Sequence, residues 1–169
     1  MVDHPRIFGI TGYSGNGKTA LARALIPELV GRGLRISTLK HAHHGFDLDQ
    51  PGKDSYEHRA AGAREVLVAS ARRWALMHEH GSDREPGLWE LVDKLEACDL
   101  VLVEGYKHES HPKLEVHRPS VGTPRLLGEV PNVVALASDD AVPDVGVPVL
   151  NLNNTAAIAD FVLMQMKAA

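Results

Sequence analysis

The residues Gly12-Tyr13-Ser14-Gly15-Asn16-Gly17-Lys18-Thr19 match the spacing G-x-x-x-x-G-K-[ST] in full. These residue types suit one chemistry, the holding of a polyphosphate with a divalent cation. Glycines let the backbone curl without side-chain clashes, so successive N–H groups point at phosphate oxygens. The N-terminus of a following helix adds partial positive charge. The lysine of the pattern reaches the β- and γ-phosphates, and the hydroxyl after it coordinates Mg²⁺. Gly12, Ser14, Gly15, Asn16, Gly17, Lys18, Thr19 and Ala20 are therefore expected to contact a nucleotide, with Lys18 also in a catalytic role. A chance Gly-rich turn is the alternative, but an apolar segment precedes the motif and a helical pattern follows it, as such a site requires.

A magnesium site also needs a carboxylate at the same edge of the sheet. The run Asp99-Leu100-Val101-Leu102-Val103-Glu104-Gly105 offers two. Ligands of open α/β sheets sit beyond the carboxyl ends of the strands. Glu104 is at that end, and Asp99 lies about 16 Å away at about 3.3 Å per residue. Glu104 is expected to serve the cation, directly or through water, and Asp99 to start the strand. Gly105 is expected to let the backbone pass close to the phosphates.

The segment from Lys40 to Ser55 is rich in other ligand types. His41, His43, His44, Asp47, Asp49 and Asp54 fall within 14 residues. A transition-metal site is one use of such a set, although the spacing matches neither zinc-finger nor H-E-x-x-H patterns. A substrate and switch loop is another. In that case Asp54 holds the magnesium shell or positions a water, and Lys53, His58 and Arg59 meet an anionic ligand. A mobile polar loop is the third.

The elements that must position these groups alternate between strand and helix patterns. Arg6–Thr11 reads as a strand and Lys18–Arg32 as a helix, with Leu21, Leu25 and Leu29 on one face and Pro27 as an interruption. Leu34–Leu39 reads as a strand and Ser55–Gly62 as a short helix. Glu65–Ser70 and Arg73–His78 are brief strands, and Leu88–Glu96 is a helix. Leu100–Val103, almost wholly apolar, reads as a central strand buried on both faces. Leu114–His117 is weaker. Val133–Ala137 and Val147–Leu150 follow, and a helix over Thr155–Met166 closes the chain, capped by Asn153 or Asn154. The pattern predicts an α/β fold, with a mostly parallel twisted sheet and helices on both faces in three layers. A single nucleotide-binding domain is expected over residues 1–169.

Bulk composition narrows the class. Hydrophobic residues make up 44% and charged residues 24% of the 169, which describes a globular chain. A net charge of −4 argues against general nucleic-acid binding. The single cysteine, Cys98, excludes an intrachain disulfide and reads as a buried structural thiol. No apolar run approaches the roughly 20 residues that span a bilayer, and the first residues lack the layout of a signal peptide, so a cytoplasmic protein is expected.

Three segments together carry a family resemblance: GYSGNGKT, KHAHHGFDLDQPGKDSYEHRAAGA and DLVLVEGYKHESHPKLEV. The chain resembles the molybdopterin-guanine dinucleotide biosynthesis protein B (MobB) family from about Ile7 to Ser138. The resemblance implies a GTP-binding P-loop protein of the SIMIBI class, usually dimeric, with weak Mg²⁺-dependent GTPase activity. It implies an adaptor role beside the guanylyltransferase that joins GMP to molybdopterin, and contact with molybdopterin itself is an open part of that role. Carried over by residue, Gly12–Thr19 hold the triphosphate, Glu104 the magnesium, and Asp54 a switch-like position. Lys107, His108, Lys113 and Glu115 match the second signature without assigned roles. The sequence has no N-K-x-D to read guanine. Asp139 and then Asp140 follow a late apolar strand where such a reader would sit, with Asn151, Asn153 and Asn154 as further candidates. Two other classes fit the P-loop: a kinase or ligase acting on a small metabolite, and a metallochaperone NTPase using His41, His43 and His44.

Overall fold

The structure is a computed structural model that describes residues 5–42, 45–143 and 145–168. The chain divides into two compact units, one of Met1–His41 with Leu88–Ala169 and one of Ala42–Gly87.

The larger unit is built on a six-stranded sheet. Its strands are β1 (Arg6–Thr11), β2 (Ile36–Lys40), β5 (Leu100–Glu104), β6 (Lys113–His117), β7 (Val133–Ser138) and β8 (Val149–Asn151). They lie in the order β2-β5-β1-β6-β7-β8, and every pairing is parallel. Alternate residues feed two cores. Phe8, Ile10, Leu100, Leu102, Leu114, Val116, Ala135 and Ala137 pack with Leu21, Leu25 and Leu29 of α1 (Lys18–Gly31) and with Ile158, Phe161 and Val162 of α4 (Thr155–Ala168). Ile7, Val101 and Val103 pack on the other face with Leu88 and Val92 of α3 (Leu88–Val92). The sheet thus has helices on both faces, as its strand-helix alternation predicts.

Local chemistry sets the ends of these elements. Arg32 N–H bonds Leu29 O at 3.1 Å and Gly33 N–H bonds Val30 O at 2.9 Å, which closes α1. Of the two candidate caps for α4, Asn154 is the one used: its Oδ1 accepts Ala157 N–H at 3.1 Å. Asn153 instead donates its N–H to Asn151 Oδ1 at 2.9 Å. Helix α3 is shorter than the expected Leu88–Glu96. Beyond Val92 the chain tightens, with Lys94 N–H on Leu91 O at 3.1 Å and Leu95 N–H on Val92 O at 3.0 Å, bonds of the three-residue type. Cys98 is half-buried at the margin of the second core rather than enclosed, because it lies outside the strand, ahead of Leu100.

The smaller unit holds α2 (Asp54–Ala60) and a hairpin of β3 (Glu65–Ala69) and β4 (Trp74–His78). The hairpin is antiparallel, with Leu67 opposite Leu76 and Ala69 opposite Trp74. Only residues 70–73 separate the two strands, far fewer than the dozen or so that a parallel crossover needs. Ser70 closes the turn, accepting Arg73 N–H on its hydroxyl at 3.2 Å. Arg59 gathers the carboxylates of Asp49, Asp47 and Glu79 at 2.6, 2.8 and 2.9 Å. Asp49 above all raises the pKa of that guanidinium. No helix among the described residues is long and apolar enough to cross a membrane.

Candidate functional site

The site begins where β1 ends. Residues 12–17 turn from the carboxyl end of that strand into α1. Gly12 has φ +137°, and a Cβ there would strike the carbonyl oxygen of Val116 in β6, so the loop can lie against the sheet only with glycine at that position. Gly17 stands at the N-cap of α1 with no side-chain cap, and its carbonyl accepts Leu21 N–H at 2.9 Å. The first turn of α1 therefore keeps amide donors that no side chain takes. Ser14, Gly15, Thr19 and Ala20 are exposed along this turn.

Lys18 donates from Nζ to Tyr13 O at 3.0 Å. Burial lowers its pKa, with Glu104 opposing that shift and Lys40 adding to it. Thr19 Oγ1 donates to Glu104 Oε1 at 2.9 Å. Lys40 Nζ lies 3.4 Å from the same oxygen. The sheet register produces this meeting, because Glu104 stands opposite both Ile10 of β1 and Lys40 of β2. Asp99, at the other end of β5, binds Arg35 through its backbone N–H at 2.7 Å and its guanidinium at 3.2 Å. A hydroxyl and a carboxylate brought together at a helix N-terminus are the hard oxygen donors that suit Mg²⁺.

Asn16 serves a different end from the one its place in the loop suggests. Its side chain is only 1% exposed. Nδ2 donates to Thr123 Oγ1 at 2.9 Å, and Oδ1 accepts Arg118 N–H at 2.7 Å. The side-chain amide is thus spent on the neighbouring loop, and the backbone N–H makes only a long bond, to Tyr13 O at 3.4 Å. Gly105 has a close neighbour within the protein. At φ +98°, its Cβ would lie 2.8 Å from His41 Cβ, so the close approach there is to His41. His41 N–H bonds Glu104 O at 2.9 Å.

Arg118, which sequence reasoning missed, follows directly on β6. Its Nε donates to Asn16 O at 3.1 Å, and its guanidinium pairs with Asp139. A positive residue just past the carboxyl end of a strand beside β1 was the available signal. Asp139 follows directly on β7, and its carboxylate faces that guanidinium. Asp140 instead accepts Ala141 N–H on Oδ1 at 2.8 Å, within its own turn.

Two residues of the second signature are held inside the fold. Lys113 is fully buried, and its Nζ donates to the carbonyls of Glu109, His111 and Pro131 at 2.7, 2.8 and 2.7 Å. Burial lowers its pKa. Glu115 accepts Leu126 N–H at 2.7 Å and Leu127 N–H at 2.8 Å. These two ions fasten surrounding loops to the middle of the sheet. Asp54 opens α2 in the smaller unit, whereas Lys18, Thr19 and Glu104 belong to the larger one. His43 and His44 lie outside the described residues.

A parallel sheet with the glycine loop at its carboxyl edge, and with Glu104 on the strand next to β1, defines an α/β protein of the P-loop NTPase fold. Comparison with known proteins narrows this class. Residues 7–139 match the model of the family described as MobB, molybdopterin guanine dinucleotide synthesis protein B. The chain is 43% identical to the molybdopterin-guanine dinucleotide biosynthesis adapter protein of Escherichia coli K12, over 95% of this chain and 93% of that protein. It is 39% identical to the adapter protein of Haemophilus influenzae, over 92% and 86%. The crystal structure of Bacillus subtilis MobB superposes with a TM-score of 0.74 at 26% identity, covering 95% of this chain and 97% of that one. The chain belongs to the MobB family.

Proposed function

We propose that this chain is a GTP-binding adapter in the biosynthesis of the molybdopterin-guanine dinucleotide form of the molybdenum cofactor. It works beside the guanylyltransferase and hydrolyses GTP weakly. The meeting of Thr19 and Glu104 at the mouth of the P-loop carries the nucleotide part. The adapter part rests on the names of the E. coli and H. influenzae relatives.

Gly12, Ser14, Gly15, Asn16, Gly17 and Ala20 offer backbone N–H groups to the phosphates, and Lys18 offers its ammonium. Thr19 and Glu104 hold Mg²⁺, and Asp54 is the switch residue of the smaller unit. The cation supplies charge neutralisation for the phosphates, and positioning with charge stabilisation is most of what such a reaction needs. Asp139 reads guanine, because a carboxylate accepts both N1–H and the 2-amino group. All of residues 1–169 act as one cytoplasmic nucleotide-binding domain, with residues 42–87 as an insert.

The active species is a homodimer. Leu67, Val68, Trp74 and Leu76 of the hairpin are 60, 46, 61 and 47% exposed, on a sheet of only two strands. A two-stranded hairpin with uncovered apolar residues is marginal on its own. Affinity capture of the guanylyltransferase by this chain, with and without GTP, tests the adapter role. Capture should increase with GTP, and bound pterin should be identifiable in the captured fraction. Equal absence of capture in both conditions contradicts the role.

A further inference from the structure

The segment after β6 is fastened along the P-loop. Asn16 Oδ1 takes Arg118 N–H at 2.7 Å, and Asn16 Nδ2 holds Thr123 Oγ1 at 2.9 Å. Between these ties, Val121 Cγ1 lies 3.7 Å from where a Cβ on Gly15 would stand. The Arg118 side chain then runs back over the loop. Its Nε donates to Asn16 O at 3.1 Å, and Nε is also 3.3 Å from the Cβ position of Gly17. The far side of the same guanidinium meets the Asp139 carboxylate. One planar group therefore joins the phosphate loop to the acid just past β7.

That link bears on base recognition. A carboxylate selects guanine only when both oxygens face the N1–H and 2-amino donors side by side. An aspartate at a strand end turns about two side-chain torsions unless something holds it. One arm of the rigid guanidinium fork, Nη1, meets one carboxylate oxygen, Oδ2, while Nε of the same planar group is held on Asn16 O, so Asp139 is met from a fixed direction that a freely turning ammonium does not give. Each carboxylate oxygen has a second lone pair, so a bond from Arg118 still leaves acceptor sites for a base. We propose that Arg118 is a positioning residue for base recognition: anchored on the P-loop, it orients the Asp139 carboxylate and so sets the preference for guanine. This rests on Asp139 as the base reader and adds how that residue is aimed.

Competition titrations in Mg²⁺ with GTP, ITP and inorganic tripolyphosphate test it. Inosine lacks only the 2-amino group, so the GTP/ITP affinity ratio reports that contact, and tripolyphosphate reports the P-loop alone. Arg118→Ala should lower the GTP/ITP ratio about fivefold while tripolyphosphate affinity stays within about twofold, a separation that coupled residues produce. Arg118→Lys keeps the charge without the fork and should recover only part of the preference. Should Arg118→Ala fail to fold, the lysine variant alone should still lower the ratio by about twofold. Because Arg118 acts through Asp139, the double variant should match Asp139→Ala.

Each contrary outcome has a distinct meaning. An unchanged ratio in the Arg118 variants, with a lowered ratio in Asp139→Ala, leaves the base reader standing and overturns the positioning role. Equal losses for GTP and tripolyphosphate make Arg118 a mere clamp and also overturn it. Losses that add in the double variant mean that Arg118 meets the base by itself, which again overturns it. A ratio that Asp139→Ala does not change removes the reader and, with it, this inference.

Discussion

Glu104 Oε1 draws two groups at once, the Thr19 hydroxyl at 2.9 Å and the Lys40 ammonium at 3.4 Å. Glu104→Gln removes that charge at nearly constant shape, so Mg²⁺-dependent triphosphate binding should fall by about tenfold, the order expected of a lost charge-assisted contact. Asp99→Asn, at the opposite end of β5 and paired with Arg35, should change it far less. Titrations with and without Mg²⁺ measure both, and equal effects would contradict the placement of the cation. Asp139→Asn should move affinity from guanosine toward xanthosine triphosphate, because an amide matches the xanthine 2-oxo group. An unmoved preference would place base reading elsewhere. His111 gives a prediction in pH. Burial, and then the Lys113 charge, push its pKa down to about 4, and both ring nitrogens are buried without a hydrogen-bond partner among the described residues. Between pH 6.5 and pH 4 the unfolded chain takes up a proton there that the folded chain does not, so stability falls as the pH falls. The loss attributable to His111 should reach about 3 kcal/mol at pH 4 relative to pH 7. Denaturant melts of wild type against His111→Met isolate it, since the variant should lack that part of the pH dependence. The P-loop was legible because its residues are contiguous and their types follow from phosphate chemistry. Arg118 was not, because its meaning comes from Asn16, 102 positions earlier, and from Asp139, 21 positions later.

Hydrophobic period and punctuation located most elements, and they gave the weakest signal where charges are buried. The segment Leu114–His117 reads as a weaker strand, since Glu115 and His117 interrupt its apolar run. In the fold it is β6, between β1 and β7 in the middle of the sheet. Lys113 and Glu115 are tolerated there because backbone carbonyls and amides satisfy each of them, which is the condition for burying a charge. The loops that supply those partners are not visible as partners in the chain. The same limit applies to the close approach of Gly105 to His41, which the chain order does not show. Helix α4 shows the opposite case, in which a local rule suffices. A cap residue two or three positions ahead of the apolar pattern was expected, and Asn154 supplies the bond to Ala157 N–H at 3.1 Å. Asn154→Ala should destabilise the chain by about 1 kcal/mol, while Asn153→Ala, with no capping bond of its own, should cost far less. Urea melts of the two variants decide between them.

The two compact units differ in how they are held. The larger has continuous cores on both faces of its sheet. In the smaller, Val66 alone is buried among the described residues, while Phe46, Leu48, Trp74 and Leu67 lie 60% or more exposed. Sequence could locate its two strands but not what covers them, since alternation reports which residues are apolar and not which partner shields them. A homodimer should therefore appear in light scattering at micromolar concentration, and Trp74→Asp should shift it toward monomer without disturbing nucleotide binding. A wild-type monomer with and without GTP would contradict this. Any hydrolysis of GTP by the chain alone should be slow, because Arg118 is tied to the P-loop backbone and to Asp139 rather than directed at the phosphates. Calorimetric titration of wild type and Lys18→Ala with GTP and ATP in Mg²⁺ measures whether the P-loop of this chain binds GTP. Wild type should bind GTP about tenfold or more tightly than ATP, the discrimination that a carboxylate left partly unpaired by adenine provides, and Lys18→Ala should bind neither while melting as wild type does. Wild-type affinity for GTP in Lys18→Ala would contradict GTP binding at the P-loop.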